Sequence, residues 1–158
     1  MKRIKKTLTI SAFTFLFLLV ACNKNKEDGV DPMHGTIVDP AWSVSTDYDY
    51  SNSMTAVANV LLLQPDGSPI AGDIWALDTA DRLAAFVGNE CVGVAKPNGD
   101  LFFLFIVSTH NTDVDEPVSL RYYSAKLLNI FHTDTTFPFV NGSQQGTASA
   151  PLQVLFRP

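Results

Sequence analysis

Three histidines and one cysteine are the side chains that could act as a base or a nucleophile. The histidines are His34, His110 and His132, and the cysteine is Cys91. Catalysis by such groups needs a nucleophile, a base and an orienting partner within hydrogen-bond reach of one another. The sequence has no G-x-S-x-G, H-E-x-x-H or phosphate-binding-loop motif that would assemble them. Cys91 also has no basic neighbour that would favour a thiolate. We therefore predict that the chain is not an enzyme.

Acidic segments supply the oxygen atoms that a hard cation would need. Asp47 and Asp49 lie in one such segment, and Asp113, Asp115 and Glu116 lie in another. Calcium prefers carboxylate and carbonyl oxygens from loops, so these five residues are the ligands predicted for a calcium ion. Neither segment has the ligand spacing of an EF-hand. Solvated surface loops are the alternative, and no other cofactor is predicted.

Four aromatic residues in polar surroundings could bind a glycan or a protein partner. They are Trp42, Tyr48, Tyr50 and Trp75. Exposed rings offer flat apolar surfaces, and polar neighbours can bond the hydroxyls of a ligand. Large aromatic residues also cap the ends of packed cores, so each ring alone is compatible with a structural role. As a group they are the predicted ligand-binding residues.

The first 21 residues are typical of an export signal. A basic start is followed by an apolar run, residues 10–20, that is too short to span a bilayer as a stable helix. The segment ends in Leu19-Val20-Ala21-Cys22, which resembles the lipobox of bacterial lipoproteins. This resemblance implies that residues 1–21 are removed and that Cys22 carries a membrane-anchoring lipid. Cys91 is then the one remaining thiol, and no intramolecular disulfide can form.

Residues 22–33 are polar and lack an apolar period, which predicts a flexible tether. Their Lys26-Glu27-Asp28 resembles an export signal that some Gram-negative bacteria use, which implies an outer-membrane lipoprotein facing the cell surface. Four of the eleven basic residues lie in the signal, so seven remain against sixteen acidic residues, a net charge of −9. This acidity opposes binding to nucleic acid.

Residues 34–158 are predicted to form one all-β domain around residues 83–107. There the Gly88-Asn89 turn joins two apolar runs and predicts a hairpin. In that register Phe86 faces Cys91, Val87 faces Glu90, and Ala85 and Ala84 face Val92 and Gly93. A second turn leads into residues 101–107, which would complete a three-strand meander. Since that run is apolar throughout, we expect it to be buried on both faces.

Further strands are predicted before and after this meander. Residues 34–40 could be a strand or an extended lead-in, residues 42–50 alternate polar with aromatic positions, and residues 70–82 are predicted as a loop. The remaining predicted strands are 54–63, 117–124, 125–132, 137–140 and 151–156, with 137–140 at a sheet edge because Pro138 cannot donate to a central ladder. About eight short strands with regular turns predict an antiparallel, immunoglobulin-like β-sandwich.

Several motifs, in this order, resemble a module of secreted and surface proteins of Gram-negative bacteria. They are Ser53-Met54, Asp81, the hairpin 84–94, the segment 120–125 and Gly142-Ser143. The resemblance covers residues 42–156 and implies an immunoglobulin-like sandwich with no assigned reaction. Val92 replaces an arginine of the module and Ser124 a frequent aspartate, so any pair formed by those two groups is absent here.

These features predict a surface-anchored lipoprotein whose domain binds a glycan or a protein without catalysing a reaction. The alternative is a structural or accessory subunit of an outer-membrane or adhesive assembly. That alternative predicts contact through an open sheet edge at residues 137–140.

Overall fold

The computed structural model describes residues 33–47, 49–70, 77–108 and 117–158. These ranges contain nine strands and no helix. In particular, no helix within them is long and apolar enough to cross a membrane. The strands are β1 (Asn52–Leu62), β2 (Arg82–Val87), β3 (Glu90–Ala95), β4 (Pro97–Asn98), β5 (Leu101–Ser108), β6 (Pro117–Ser124), β7 (Asn129–Pro138), β8 (Gln144–Gln145) and β9 (Leu152–Phe156).

The strands form two sheets around one core. The first sheet has the order β4-β5-β1, with β8 and β9 both pairing with the far side of β1, and the second has the order β3-β2-β6-β7. Pairings among the described strands are antiparallel except that β8 and β9 run parallel to β1. Tyr122 of the second sheet lies with its ring centroid 6.0 Å from that of Phe102 and 5.8 Å from that of Phe156 in the first. The predicted all-β fold of two packed sheets is confirmed.

The predicted hairpin is present, with one change of register. Phe86 pairs with Cys91 and Val87 with Glu90, as predicted, and Gly88 has the positive φ that the turn requires, 58°. A β-bulge then places Ala85 opposite Gly93 instead of Val92. The predicted pairs beyond Phe86 were therefore wrong by one residue. The bulge leaves both Val92 and Gly93 buried.

The third strand of the predicted meander lies in the other sheet. The chain crosses over at Lys96, between β3 and β4, and β5 pairs with β1 along most of its length. Phe102, Leu104 and Ile106 are buried, whereas Phe103 and Phe105 are 48% and 60% exposed. The expectation of burial on both faces was wrong, because alternation along β5 places these two rings on the outer face of the first sheet, which leaves about half of each side chain exposed.

The two sheets meet along both edges. On one side, a Cβ atom added to Gly93 of β3 would lie 2.7 Å from the carbonyl oxygen of Phe105 in β5, so only glycine permits this approach. On the other side, His132 of β7 and Arg157, which follows β9, exchange two backbone hydrogen bonds of 2.9 and 2.8 Å. The sandwich is thus closed where its edge strands approach each other.

Residues 33–47, which we call the lead-in, contain no strand. The N–H groups of Gly35 and Ile37 donate to the carbonyl oxygens of Leu127 and Leu128, each at 2.8 Å. Met33 is buried in the core cluster. The lead-in therefore enters the domain beside the turn between β6 and β7.

The lead-in covers part of the outer face of the second sheet. The Tyr123 hydroxyl donates to the carbonyl oxygens of Ile37 and Val38, at 3.0 and 2.5 Å. The Trp42 ring meets the Phe86 ring edge-on, with centroids 5.7 Å apart. As a result, Phe86 and Tyr123 are each only 3% exposed although they point away from the other sheet.

The later part of the chain follows the predicted order with shifted boundaries. The strand predicted at residues 117–124 is β6, and β9 lies within the predicted 151–156. The predicted strand 125–132 was wrong in its first half, where residues 125–128 form a turn and Leu128 adopts a positive φ of 51°. The predicted strand 137–140 is the end of β7, which is an edge strand, and pairing stops at Pro138.

Candidate functional site

The four aromatic residues predicted to bind a ligand do not all lie in the described part of the chain. Tyr48 and Trp75 lie outside it. Trp42 is half-buried against Phe86, and the Tyr50 hydroxyl oxygen is buried. Trp42 and Tyr50 therefore contribute to packing, and a ligand-binding role for the group of four stays a prediction.

The predicted calcium ligands are also divided. Asp47 and Asp49 are exposed, whereas Asp113, Asp115 and Glu116 lie outside the described residues. The backbone N–H of Asp47 donates to the Ser45 hydroxyl at 3.1 Å, which forms a local turn. Within the described ranges, no three histidine, cysteine or acidic side chains are grouped as a metal site. Calcium binding stays a prediction from the sequence.

The groups considered for catalysis are separated in the fold. His34 and His132 are exposed on the lead-in and on β7, and His110 lies outside the described residues. Cys91 is half-buried on β3, and its burial raises the pKa of the thiol. A thiol with a raised pKa carries little of the thiolate that nucleophilic attack requires. Cys22, the predicted lipid attachment site, lies outside the described ranges as well.

Asp81 is the one acidic side chain buried in the described part of the chain, at 2% exposure. Its Oδ2 atom accepts hydrogen bonds from the Tyr122 hydroxyl at 2.6 Å and from the Asp78 N–H at 2.9 Å, and its Oδ1 atom accepts from the Ala125 N–H at 2.8 Å. The carboxylate thus joins the start of β2 to the end of β6. Because both oxygens are engaged, Asp81 has a structural role.

A groove of about 430 Å³ with exposed aromatic rings lies on the outer face of the first sheet, and we call it the outer groove. Its floor is β1, one wall is formed by the rings of β5, and the other wall is formed by the segment 144–148. The principal lining residues are Thr55, Val57, Phe103, Phe105, Gln144 and Ala148. None of the described lining residues is charged.

Strand register explains how the aromatic wall is formed. Phe105 lies opposite Thr55, and Phe103 lies opposite Val57, in the antiparallel pairing of β5 with β1. Side chains directly opposite each other share one face of a sheet. The inward positions of β5 are filled by Phe102, Leu104 and Ile106, so alternation directs Phe103 and Phe105 outward.

The second wall is held against β1 by backbone contacts. Gly142 donates to the Ser53 carbonyl oxygen at 2.7 Å, and the Thr55 N–H donates to the Ser143 carbonyl oxygen at 3.0 Å. Gly146 has a positive φ of 69°, and a Cβ atom there would lie 2.5 Å from the Val57 carbonyl oxygen. Glycine is therefore required for the loop to lie this close to the floor of the groove.

A second concavity of about 380 Å³ lies where β7 approaches the end of the chain. It is lined by His132, Thr133, Asp134, Thr135 and Arg157 together with two apolar residues. Asp134 and Arg157 approach to 4.0 Å, but both side chains are largely exposed, so the pair contributes little to stability. Its described lining residues include no phenylalanine, tyrosine or tryptophan, so this surface is weaker as a candidate site than the outer groove.

No protein-family model, curated protein or solved structure matches the chain. The resemblance to a secreted module and to a lipobox therefore stays a prediction from the sequence.

Proposed function

We propose that this chain is a lipid-anchored outer-membrane protein, exposed at the cell surface, whose β-sandwich binds a ligand in the outer groove without catalysing a reaction. The anchor is supported by the lipobox-like sequence ending in Cys22 and by the polar tether that follows it. The binding role is supported by the described geometry.

The exposure of Phe103 and Phe105 is the observation that carries this proposal. These side chains are 48% and 60% exposed, so each forgoes roughly half of the about 1.5–3 kcal/mol that full burial would contribute. Two adjacent rings on one face, beside a groove with a fixed polar wall, are costly unless they contact a ligand. Exposed apolar patches with polar rims mark interaction sites. A binding function accounts for the rings, and a catalytic one does not require them.

The chemistry of the described acidic and thiol groups also favours binding over catalysis. Asp81 is engaged by three donors, and the raised pKa of Cys91 keeps its thiol protonated. Neither group lines the outer groove. Among the described lining residues, a ligand held there would therefore meet aromatic, hydroxyl and amide groups rather than a base or a nucleophile.

The structural or accessory role is the second candidate, and features of β7 make it the weaker one. Between the pairs Ser119–Thr136 and Arg121–His132, three residues of β7 oppose Leu120 alone. This bulge, the proline at position 138 and the backbone contact with Arg157 each oppose addition of a strand from another chain. Phe137 and Phe139 are buried, which removes them from an edge contact.

The anchor is tested by labelling cells with a radioactive fatty acid. We expect label in the wild-type chain, none in the Cys22→Ala variant, and degradation of the chain when protease is added to intact cells. Digestion only after the outer membrane is permeabilised would contradict exposure at the surface.

The binding role is tested by placing the photoreactive residue p-benzoylphenylalanine at position 105 and irradiating living cells. We expect a covalent adduct with an envelope component, because the side chain at this position lies in the outer groove. The same residue at the exposed position 66, in a remote turn, is the control and should give little adduct. Equal adduct at both positions, or none at 105, would contradict a binding role for the groove.

A further inference from the structure

We infer that the outer groove binds an uncharged polysaccharide, whose sugar rings pack on Phe103 and Phe105 and whose hydroxyl groups bond to the opposite wall. This inference rests on the proposed binding function, for which it names the class of ligand. It is carried by the charge, the spacing and the rigidity of the groove.

Charge is the first argument. The chain is acidic, with a formal net charge of −5 over the whole sequence, yet no described residue lining the groove is charged. An acidic polymer would need basic side chains to neutralise it, and a basic peptide would need acidic ones. The described lining residues offer neither, so the groove fits a ligand without formal charge.

The two walls differ in chemistry. One wall presents the faces or edges of two phenylalanine rings, and the other presents an amide at Gln144 beside the hydroxyl of Thr55 on the floor. A sugar has an apolar C–H face and a rim of hydroxyl groups that donate and accept hydrogen bonds. Such a molecule can place its apolar face on the rings and its rim against the amide, which satisfies both walls at once.

The spacing of the rings favours a chain of sugars over a single one. Phe103 and Phe105 are two positions apart on one strand, so their Cα atoms are separated by about 6.6–6.8 Å along β5. A ligand that contacts both rings therefore extends along the strand direction.

The polar wall is fixed before a ligand arrives. The Gln144 side-chain amide donates to the Gly146 carbonyl oxygen at 2.8 Å, which sets the orientation of its oxygen atom as an acceptor. Thr147 and Ala150 exchange two backbone hydrogen bonds that close the loop. Binding to a preorganised wall avoids the entropy loss of ordering a loop, which suits a weakly interacting ligand such as a neutral sugar chain.

The test measures binding of the detergent-solubilised full chain to purified polysaccharides by electrophoresis in gels that contain them. The uncharged probes are glucomannan, arabinoxylan and dextran, and the acidic probes are alginate and polygalacturonate. We expect retardation by at least one uncharged probe and none by the acidic probes. The Phe105→Ala and Phe103→Ala variants should bind about tenfold more weakly, since aromatic anchors dominate such contacts.

Matched variants separate the groove from the rest of the sheet face. Leu155→Ala removes an exposed apolar side chain, 44% exposed, from β9 outside the groove, and it should bind like the wild type. Gln144→Leu keeps the size of the side chain but removes the amide, and it should bind more weakly. Phe105→Tyr keeps the ring and should retain binding. Equal unfolding midpoints would exclude misfolding as the cause.

The outcomes also separate this inference from the proposed function. Binding to acidic probes alone, or to uncharged probes without any loss in the Phe105→Ala variant, would overturn the inference. The inference would also be overturned if the chain bound no probe and the photo-adduct at position 105 contained protein. The proposed binding function would then stand. A failure to bind any probe with no adduct at position 105 would overturn both.

Discussion

At the scale of single residues, Asp81 shows how one buried charge can organise the end of a sandwich. Burying a carboxylate is unfavourable unless hydrogen bonds replace its water. Asp81 accepts from Tyr122 and from two backbone N–H groups, and these partners belong to the β1–β2 connection, to β6 and to the turn after it. The carboxylate therefore fixes the relative position of three segments that are distant in sequence.

The Asp81→Asn variant should be less stable by about 1–3 kcal/mol, because its amide nitrogen would face a donor and leave a buried group unsatisfied. Urea unfolding followed by tyrosine and tryptophan fluorescence measures this change. Asp100→Asn, an exposed carboxylate in the turn before β5, is the matched control and should change stability by less than about 0.5 kcal/mol. Equal effects at the two positions would contradict a structural role for Asp81.

A pH dependence follows from the two buried tyrosines. Burial raises the pKa of Tyr122, which the nearby Asp81 carboxylate raises further, and burial also raises the pKa of Tyr123. Their contribution to stability is complete below the ordinary phenol value of about 10 and is lost as pH rises above it, because the unfolded chain then releases protons that the fold retains.

We therefore expect the urea midpoint to decrease as the pH rises from about 9 to about 11.5. The absorbance of phenolate in the folded chain should show fewer than four ionised tyrosines in this range. The Tyr122→Phe variant should have a smaller decrease in midpoint. A full phenolate signal from a folded chain at about pH 11 would contradict the burial of these hydroxyls.

At the scale of elements, β5 shows what can and cannot be predicted from a run of apolar letters. The strand itself was predictable, since aromatic and branched residues follow a turn at Asn98-Gly99. The sheet that β5 joins was not predictable, because the run LFFLFIV has no polar position that distinguishes the two faces of the strand. The signal was in the partner strand: Thr55 and Asn59 share a face of β1, and polar residues on that face indicate that it is open to solvent.

Adjacent residues of β5 offer a direct test of this alternation. Phe102→Ala should cost about 3–5 kcal/mol, because Phe102 is fully buried against Tyr122 and a cavity would remain. Phe103→Ala, one position along, should cost less than about 1 kcal/mol, because nearly half of that side chain is already exposed. Thermal or urea unfolding measures both. Similar losses at the two positions would contradict the assigned faces of the strand.

The bulge in β3 marks a second limit of sequence reasoning. Turn type fixes the register of a hairpin only as far as the first irregularity, and the Gly88-Asn89 turn correctly placed Phe86 opposite Cys91. Nothing in the letters ECVGVA shows that Val92 is an extra residue. Its position depends on the approach of Gly93 to β5, a tertiary contact between residues of different sheets. The outer groove escaped prediction for the same reason, since its walls come from separated segments.

At the scale of the whole molecule, the sandwich is defined by how closely its two sheets approach at their edges. On the side of β3 and β5 this approach depends on the missing side chain of Gly93, and on the other side it depends on backbone hydrogen bonds between His132 and Arg157. Such contacts remove the open edges at which other chains could add a strand.

Substitutions at Gly93 should therefore destabilise in proportion to their size. We expect about 1–3 kcal/mol for Gly93→Ala, because the added carbon overlaps the Phe105 carbonyl oxygen, and a larger loss for Gly93→Leu. Gly67 is the control, since its φ is +83° and it has no atom within 4 Å of an added Cβ. There, alanine and leucine should cost about the same, through backbone strain alone. Equal free energies of unfolding in urea for the Gly93→Ala and Gly93→Leu variants would contradict the close approach of the sheets.

The lead-in makes the two outer faces of the sandwich different. It occupies the outer face of the second sheet, where Tyr123 and Phe86 hold it, while the rings of Phe103 and Phe105 lie on the opposite side of the molecule. The lead-in begins at Met33, buried beside the turn between β6 and β7, and no described residue of the lead-in lines the outer groove. The proposed anchoring and the proposed ligand contact would thus use separate surfaces, so changes in the lead-in should leave the groove unaltered.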